Sequence, residues 1–520
     1  MPRLLLMVLL ALPMAVRQPE PFDLLIVNGR LLDGTGNPWR KADLGIRDGR
    51  IAAVGKLDDA PATRIVDAAG RLVTPGFIDV HSHAAESLTR DALRDARALL
   101  AQGVTTIVGN PDGGGPVDIS AQRALLEQGG VGVNVALLVG HGSVRSSVMG
   151  QIDRAPTASD LARMEDLVRR AVSDGAFGLS SGLFYAPGSF ATLDEVVVLA
   201  RAAGGVYASH IRDEANYSIG VVAAVQEVID LAERAAVRGV VTHVKALGPD
   251  NWGLGAAIAT RIDLARARGV DVLADQYPYA ASSTSLGAAL VPRWAQAGGA
   301  VALRARLADA TERVRILAEM RANVRRRGGA RSIVIAAHDA DRALEGQSLE
   351  QIAEARQQPA EVAALEIVEA GGASIVSFNM SEDDITALMR KPWLMTSSDG
   401  GLALPGEGRP HPRNNGAFTR KLTHYVRDRG AVSLEDAIRS MTSLSASTFG
   451  LADRGSLAPG AAADVNVFDL AALREGPTYD DPHRMSEGMW LVLVNGTPVI
   501  EHGAFTGKRP GTVLRRPPPF

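Results

Sequence analysis

The chain of 520 residues contains no cysteine. That absence excludes disulfides, thiolate nucleophiles and thiolate metal ligands, so any metal must be held by nitrogen and oxygen. Charge of one sign is missing too: 55 Lys and Arg against 58 Asp and Glu leave a net −3. Nucleic-acid partners usually meet a basic face, and this balance argues against one. No block of like charge reads as an interaction tail. There is no internal repeat, and no low-complexity run beyond the proline-rich Pro517–Pro519.

No apolar run is long enough to span a bilayer comfortably. The apolar stretch Leu4–Val16 follows Met1-Pro2-Arg3 and includes the small Ala15. It has the form of a secretory leader over residues 1–18, which predicts an exported protein, periplasmic or secreted. Without cleavage the protein would be cytoplasmic; with it, no stable membrane span remains. A buried first strand is the alternative, against which Pro13 and the linker Gln18–Pro21 weigh.

What is present describes a globular protein with a sizeable core: 46% hydrophobic and 22% charged residues. Phe22–Arg30 reads as a strand and turn, and Leu44–Gly55 as a hairpin about Asp48-Gly49. A matching β-rich block returns at Ala463–Asp469 and Leu491–Gly496. Between them, apolar strands alternate with amphipathic helical stretches such as Ser159–Ser173, Leu193–Ala203 and Tyr217–Arg238. The strands are Phe77–His81, Thr105–Gly109, Val133–His141, Ala176–Gly182, Val206–His210, Val240–Lys245, Val270–Gln276 and Leu394–Asp399. Eight strands alternating with helices predict an α/β fold, a (β/α)8 TIM-like barrel. The expected organisation is a β-sandwich built from residues 22–75 and 451–510, a barrel over 76–450, and a tail at 511–520. An insertion at about 291–381, with an Arg-rich helix Leu303–Arg327 and a strand-like Ser332–Ala337, precedes the last barrel strand.

The pair His81-Ser82-His83 ends the first barrel strand. Residues two apart on a strand share a face, so the two imidazoles converge as a metal pincer; two polar residues capping a strand are the alternative. Zinc needs three or four ligands, so others must come from elsewhere. Active sites of such barrels lie at the C-terminal strand ends. The polar residues collected there are Asp112, His141, His210, His243 and Asp399. Asp112 could equally be a turn residue in Asn110-Pro111-Asp112-Gly113-Gly114, and Asp399 a helix cap. Lys245, two residues after His243, shares that face of its strand, or pairs on the rim. His141 is a candidate to orient a ligand, and Arg212 and Glu214 a candidate ion pair supporting the site.

This constellation resembles the metal-dependent amidohydrolase superfamily. The runs Gly103–Asn110, Gly175–Leu183, Ser209–Arg212, Thr242–Ala246, Tyr277-Pro278-Tyr279, Ser398-Asp399-Gly400, His411-Pro412-Arg413 and Arg454–Gly460 are similar to the D-aminoacylase branch, the N-acyl-D-amino-acid deacylases. The likeness extends from Phe22 to about Gly503. It implies one or two zinc ions on His81, His83, Asp112, His210, His243 and Asp399, the tighter at His210 and His243. It implies Asp399 as catalytic acid and base, and Tyr185, Lys245, Tyr277, Ser283 and Arg413 as substrate-binding residues. The implied reaction is hydrolysis of the N-acyl amide bond of an N-acyl-D-amino acid or dipeptide-like small molecule. One departure stands out: better-known members carry a bridging cysteine after the second strand. Ungapped counting puts Asp112 there; counting from Gly109-Asn110 puts Pro111, which cannot ligate. The modified lysine that bridges metals in other branches has no counterpart in Ala176–Leu183. Rival readings are an amidohydrolase of cyclic amides or D-dipeptides (hydantoinase-, dihydroorotase- or dipeptidase-like) and an inactive metal-binding barrel. Oligomeric state is open.

Overall fold

The structure is a computed structural model describing residues 20–57 and 59–517. The leader expected over residues 1–18 lies outside the described residues.

Eight parallel strands build the central layer. They are β1 (Phe77–Asp79), β2 (Val104–Gly109), β3 (Asn134–Leu137, resuming at Val139–Gly140), β4 (Gly178–Gly182), β5 (Val206–His210), β6 (Arg238–Val241), β7 (Val272–Gln276) and β8 (Leu394–Thr396). β1, β2 and the first part of β3 pair in one sheet, and the second part of β3 through β8 in another. Only Leu138 separates the two parts of β3. Past the other ends, Ser82 and Gly400 form a parallel bridge, Asp399 N–H donates to the His81 carbonyl at 2.9 Å and His83 N–H to that of Gly400 at 2.8 Å. The ring is thereby closed into a barrel. Its strands β2, β4, β5 and β7 are buried at every position, as parallel strands covered on both faces must be.

The covering helices begin where the sequence supplies caps. Thr157 accepts from Asp160 N–H and opens Ala158–Ser173, while Thr192 accepts from Glu195 N–H and opens Leu193–Ala203. Their apolar sides join one core cluster with the strands.

Both chain ends contribute to a single nine-stranded sheet, in which Val465–Phe468 pairs antiparallel with Leu72–Pro75. Alternate residues of these strands serve different cores. Val73, Val465 and Val467 join the small domain's own cluster, and Leu72 and Phe468 join the barrel's. The small domain meets the barrel at the N-terminal strand ends, where Asn466 Nδ2 donates to the Gly103 carbonyl at 2.8 Å.

The inserted unit opens earlier than residue 291, because Ser282–Ser285 pairs with Ser374–Ser377, which in turn pairs with Ile333–Ala337. This sheet and its helices have a separate apolar core. The Arg-rich stretch is two helices, Gly299–Ala308 and Ala310–Arg326. Asp309 breaks it, its carboxylate accepting from Thr311 and Glu312 N–H at 2.9 Å. Residues 510–516 are no loose tail. Leu514 N–H donates to the Val135 carbonyl at 2.8 Å, and Arg516 to that of Ala203 at 2.7 Å.

Asp464 ties the small domain to the barrel. Its carboxylate accepts from Arg454 Nη1 at 2.5 Å, Asn134 Nδ2 at 3.1 Å and Asn495 N–H at 2.8 Å. Both charged side chains are under a tenth exposed. Asp464→Ala leaves the buried Arg454 guanidinium only the longer ion pair with Asp453 at 3.5 Å, and should destabilise the protein by about 3–5 kcal/mol. Urea unfolding followed by circular dichroism measures this; an unchanged midpoint contradicts it.

Candidate active site

Every strand end collected from the sequence, apart from that of His141, meets in one place. His210 is the last residue of β5, and His243 follows β6 by two. His81 and His83 follow β1, Asp112 follows β2 and Asp399 follows β8. Three of these residues sit in left-handed backbone, with φ of 55° at Asp112, 36° at His243 and 49° at Asp399. Such conformations cost about 1–3 kcal/mol each and persist where surrounding contacts impose them.

Those contacts are visible. Ahead of Asp112, the Asn110 and Gln122 amides exchange hydrogen bonds at 2.8 and 2.9 Å. Ser180 Oγ donates to the Asn110 carbonyl at 2.6 Å and accepts Gly113 N–H at 3.1 Å. A Cβ on Gly113 would lie 2.8 Å from Gly182 N, so the turn after Asp112 admits only glycine. His243 N–H donates to Asp275 Oδ1 at 2.8 Å. Asp79 accepts from Ser398 N–H at 2.9 Å and from Ser398 Oγ at 2.5 Å, locking the residue before Asp399 to β1. Burial pushes the Asp79 carboxyl up to about 6.

Asp112 stands at the centre. Its carboxylate lies 3.3 Å from His81 Nε2, 3.4 Å from His83 Nε2, 3.8 Å from His210 Nδ1 and 3.4 Å from His243 Nε2. Asp399 Oδ1 is 3.5 Å from His81 Nε2 and 3.2 Å from His83 Nε2. The result is two overlapping groups that could hold a metal: His81, His83, Asp112 and Asp399, then Asp112, His210 and His243. Among the described residues, His81 Nε2 and both His210 ring nitrogens are buried without a hydrogen-bond partner. Neutral imidazole nitrogens facing carboxylates are the donor set of a borderline divalent cation such as zinc, so the residues fit that ion.

Electrostatics match this arrangement. Desolvation works against charge on these groups, although His83 keeps 43% of its side chain exposed. For the rings of His83 and His243 the carboxylates outweigh it, holding them up at about 9 and about 10. Burial wins at His210, which falls to about 4. Asp112 and Asp399 are held well below the carboxylate range against burial, Asp112 by His81 and Asp399 by Arg413 and His243.

A second ring of charge backs the first. Glu214 Oε1 lies 3.0 Å from His243 Nδ1 and is ion-paired with Lys245. Lys245 Nζ donates to the His243 carbonyl at 2.8 Å. Arg413 Nη1 reaches Asp399 Oδ2 at 2.8 Å and its guanidinium lies 4.6 Å from the Tyr277 ring. His411 Nδ1 accepts from Arg413 N–H at 3.0 Å, fixing that turn.

A cavity of about 240 Å³ opens on these groups, and Tyr185, Lys245, Ser283 and Arg413 line it. The Tyr185 ring lies 4.6 Å from that of His210, and its hydroxyl 3.2 Å from Thr284 Oγ1. Tyr277 is only 1% exposed and lies behind Arg413, its hydroxyl donating to Met380 Sδ at 3.4 Å.

Two expectations are corrected. Arg212 does not pair with Glu214; it pairs with Glu227 at 2.8 Å, because Glu214 turns inward to Lys245 and His243. His141 opens a helix instead of ending a strand, and its Nε2 lies 3.0 Å from Glu195, which Arg145 also holds, apart from both metal-binding groups. Sequence reasoning passed over Asp79 and Asp275, and placed Glu214 near the site with the wrong partner. Asp79, two residues before His81, carried a legible signal in strand periodicity; Asp275 carried none without its partner.

With this geometry in view, comparison with known proteins is decisive about ancestry. The amidohydrolase family pattern matches residues 64–500. A D-aminoacylase of Alcaligenes xylosoxydans xylosoxydans is 36% identical over 97% of this chain and 99% of its own. An N-acyl-D-glutamate deacylase of the same organism is 38% identical over 96% and 97%. The crystal structure of N-acyl-D-glutamate deacylase from Bordetella bronchiseptica, complexed with zinc and a phosphonate mimic of the tetrahedral intermediate, is 37% identical. It superposes with a TM-score of 0.82, covering 95% of this chain and 100% of that one. From residue 64 to residue 500, and in fold across nearly its whole length, this chain belongs to the amidohydrolase family.

Proposed function

We propose that this protein is a zinc-dependent hydrolase of the N-acyl amide bond of N-acyl-D-amino acids. The observation that carries the reading is Asp112, one carboxylate facing four imidazoles at the mouth of a barrel whose full-length relatives include D-aminoacylase and N-acyl-D-glutamate deacylase. His81, His83, Asp112 and Asp399 would hold one ion and Asp112, His210 and His243 another. Bound there, zinc polarises a carbonyl oxygen and lowers the pKa of water towards neutrality.

The chain's own groups do the rest. Asp399, kept ionised by Arg413, accepts the proton of the attacking water and returns it to the leaving nitrogen. Arg413 holds that carboxylate in place through an ion pair. Glu214 holds the far nitrogen of His243, so the ring's other nitrogen faces Asp112. Tyr185 closes one wall over His210, excluding water beside the reacting amide. Export over the leader at residues 1–18 belongs to the same reading. It expects a mature N-terminus shortly after Ala15 when the protein is made in a Gram-negative host.

The deciding assay is release of free amino acid from paired N-acetyl-D- and L-amino acids, with a hydantoin and a D-dipeptide as further arms, alongside metal analysis. Selective cleavage of the D-series is expected; full activity in metal-free protein overturns the reading. Asp399→Asn should keep zinc and the fold while kcat falls about 10²–10⁴-fold. Arg413→Ala should lower kcat as well as raise KM, because it frees Asp399. Asp112→Ala should lose metal from both groups at once; unchanged zinc content would return Asp112 to a turn residue.

Metal loading should be coupled to pH. In metal-free protein His83 and His243 titrate at about 9 and about 10, so at pH 7 both carry a proton that a ligand nitrogen must lose. Zinc uptake at pH 7 should therefore release at least two protons, read by calorimetry in buffers of different ionisation enthalpy. Both folded-state values lie above the ordinary histidine value of about 6.5. The stability these rings give the metal-free protein is thus complete below about pH 6.5 and lost as pH rises through 9 to 10. Metal affinity rises over the same interval. Metal-free protein equally stable at pH 6 and pH 10 contradicts the assignment.

A further inference from the structure

His141 and two partners form a charged cluster that the proposed chemistry does not use. The ring opens the helix His141–Met149, and its Nε2 lies 3.0 Å from Glu195 Oε1. Arg145, one turn further along the same helix, reaches Glu195 Oε2 at 2.5 Å. Its Nη2 donates to the Ile152 and Arg154 carbonyls at 3.3 and 2.7 Å. None of the three side chains has exposed surface. Against burial, His141 and Arg145 hold the Glu195 carboxyl below its ordinary value. Glu195 also sits in the first turn of Leu193–Ala203, where the helix dipole favours negative charge. Among the described residues, His141 Nδ1 has no hydrogen-bond partner, so Glu195 alone orients the ring. Desolvating such charges consumes about what their attraction returns, so the cluster adds little stability over apolar packing. What a buried polar cluster supplies instead is a fixed position.

The backbone around His141 is seated on the turn that carries Asp112. Gly140 and Gly142 flank the ring, and both face that turn. A Cβ on Gly140 would lie 2.2 Å from the Gly114 carbonyl oxygen, and one on Gly142 3.0 Å from that of Gly113. Ser143 N–H donates to the Gly113 carbonyl at 3.0 Å. Gly182, the last residue of β4, meets the same turn: a Cβ there would come within 2.3 Å of the Asp112 carbonyl oxygen. The left-handed backbone of Asp112 and Gly113 is therefore held by β4 and by the first turn of the His141 helix. Backbone on either side of His141 touches the Asp112 turn, and the ring ties that backbone to Glu195.

We propose that His141 is a positioning residue for the metal-binding groups: anchored by Glu195 and Arg145, it fixes the helix start against which the Asp112 turn is aimed. This rests on the metal centre of the proposed function and extends it to a layer beyond the ligands. Because Asp112 belongs to both groups, displacing its turn weakens both at once.

Zinc affinity, read by competition with a chromogenic chelator, tests this without turnover. His141→Ala should bind zinc about 10-fold more weakly, the low end of what losing an outer partner of a metal ligand costs. His141→Gln, whose amide can still donate to Glu195, should recover most of that loss. His141→Ala holding zinc as tightly as the unaltered protein overturns the proposal. Urea unfolding of the zinc-free proteins gives the stability cost separately. A lower midpoint with unchanged zinc affinity makes the cluster structural only, and overturns the proposal equally. Should His141→Ala not fold, Gly142→Ala decides. Its added methyl meets the Gly113 carbonyl oxygen at 3.0 Å and leaves the buried cluster alone, while alanine suits a helix better than glycine. Weaker zinc binding there supports the proposal, and zinc held as before overturns it. Zinc content of the unaltered protein tests the metal centre on its own. Zinc absent there sinks that reading, whereas tight zinc unmoved by either variant sinks only the positioning role.

Discussion

One carboxylate facing four imidazoles is the constraint on which this molecule turns. Asp112 has His81, His83, His210 and His243 all within 3.8 Å, and they arrive from three different strands. Nitrogen and oxygen atoms at this spacing, some buried without a hydrogen-bond partner, are costly to assemble. They remain together because the backbone beneath them has nowhere else to go. Asn110 with Gln122, Asp275 with the His243 amide, and Asp79 with Ser398 each fix one corner. Left-handed backbone at Asp112, His243 and Asp399 is the conformational cost of aiming three side chains at one point.

The barrel divides this labour between its two ends. At the N-terminal strand ends the small domain is bound by Asp464 and Asn466, through contacts that concern stability alone. At the C-terminal ends each cation of the second ring serves an acid of the site, Lys245 through Glu214 and Arg413 directly on Asp399. The inserted unit closes the cavity from above with Ser282, Ser283, Thr284 and Arg327. Its apolar core is separate from that of the barrel, so this wall can change without disturbing the metal-binding groups.

Much of this was legible in the sequence. The apolar strands, buried on both faces, are written as continuous hydrophobic runs, and His81-Ser82-His83 at the end of one of them announces its chemistry. The histidines at the ends of β5 and β6 follow from the same rule. What could not be read is the choice of partner. Glu214 stands two residues from Arg212 and turns to Lys245 instead, because pairing is decided by which way each strand-end loop faces. Lys245 and Arg413 line the cavity as the sequence suggested, and the acids they also hold, Glu214 and Asp399, follow only from tertiary contacts. Arg327 was hidden as well. In Arg325-Arg326-Arg327 it looks like part of a solvated helix, and only the fold of the insertion turns it inward. His141 illustrates the remaining ambiguity: a polar residue after a strand can begin the next helix as readily as line a site.

The nine-stranded sheet is drawn from both chain ends, and this fixes an order of events during synthesis. Leu72–Pro75 finds its antiparallel neighbour in Val465–Phe468, nearly four hundred residues later. At about 5–20 residues per second, the early strands wait on the order of tens of seconds for partners still untranslated. Contacts so distant in sequence also make closure slow once the chain is complete. During that interval Leu24, Ile26, Leu44 and Ile46, whose strands pair with each other, lack the late core partners Leu457, Val465, Val467, Leu491 and Leu493 that cover them. The nascent chain therefore offers chaperones an apolar, strand-forming segment at its leading end, and aggregation competes with folding there before the metal-binding end of the barrel is complete.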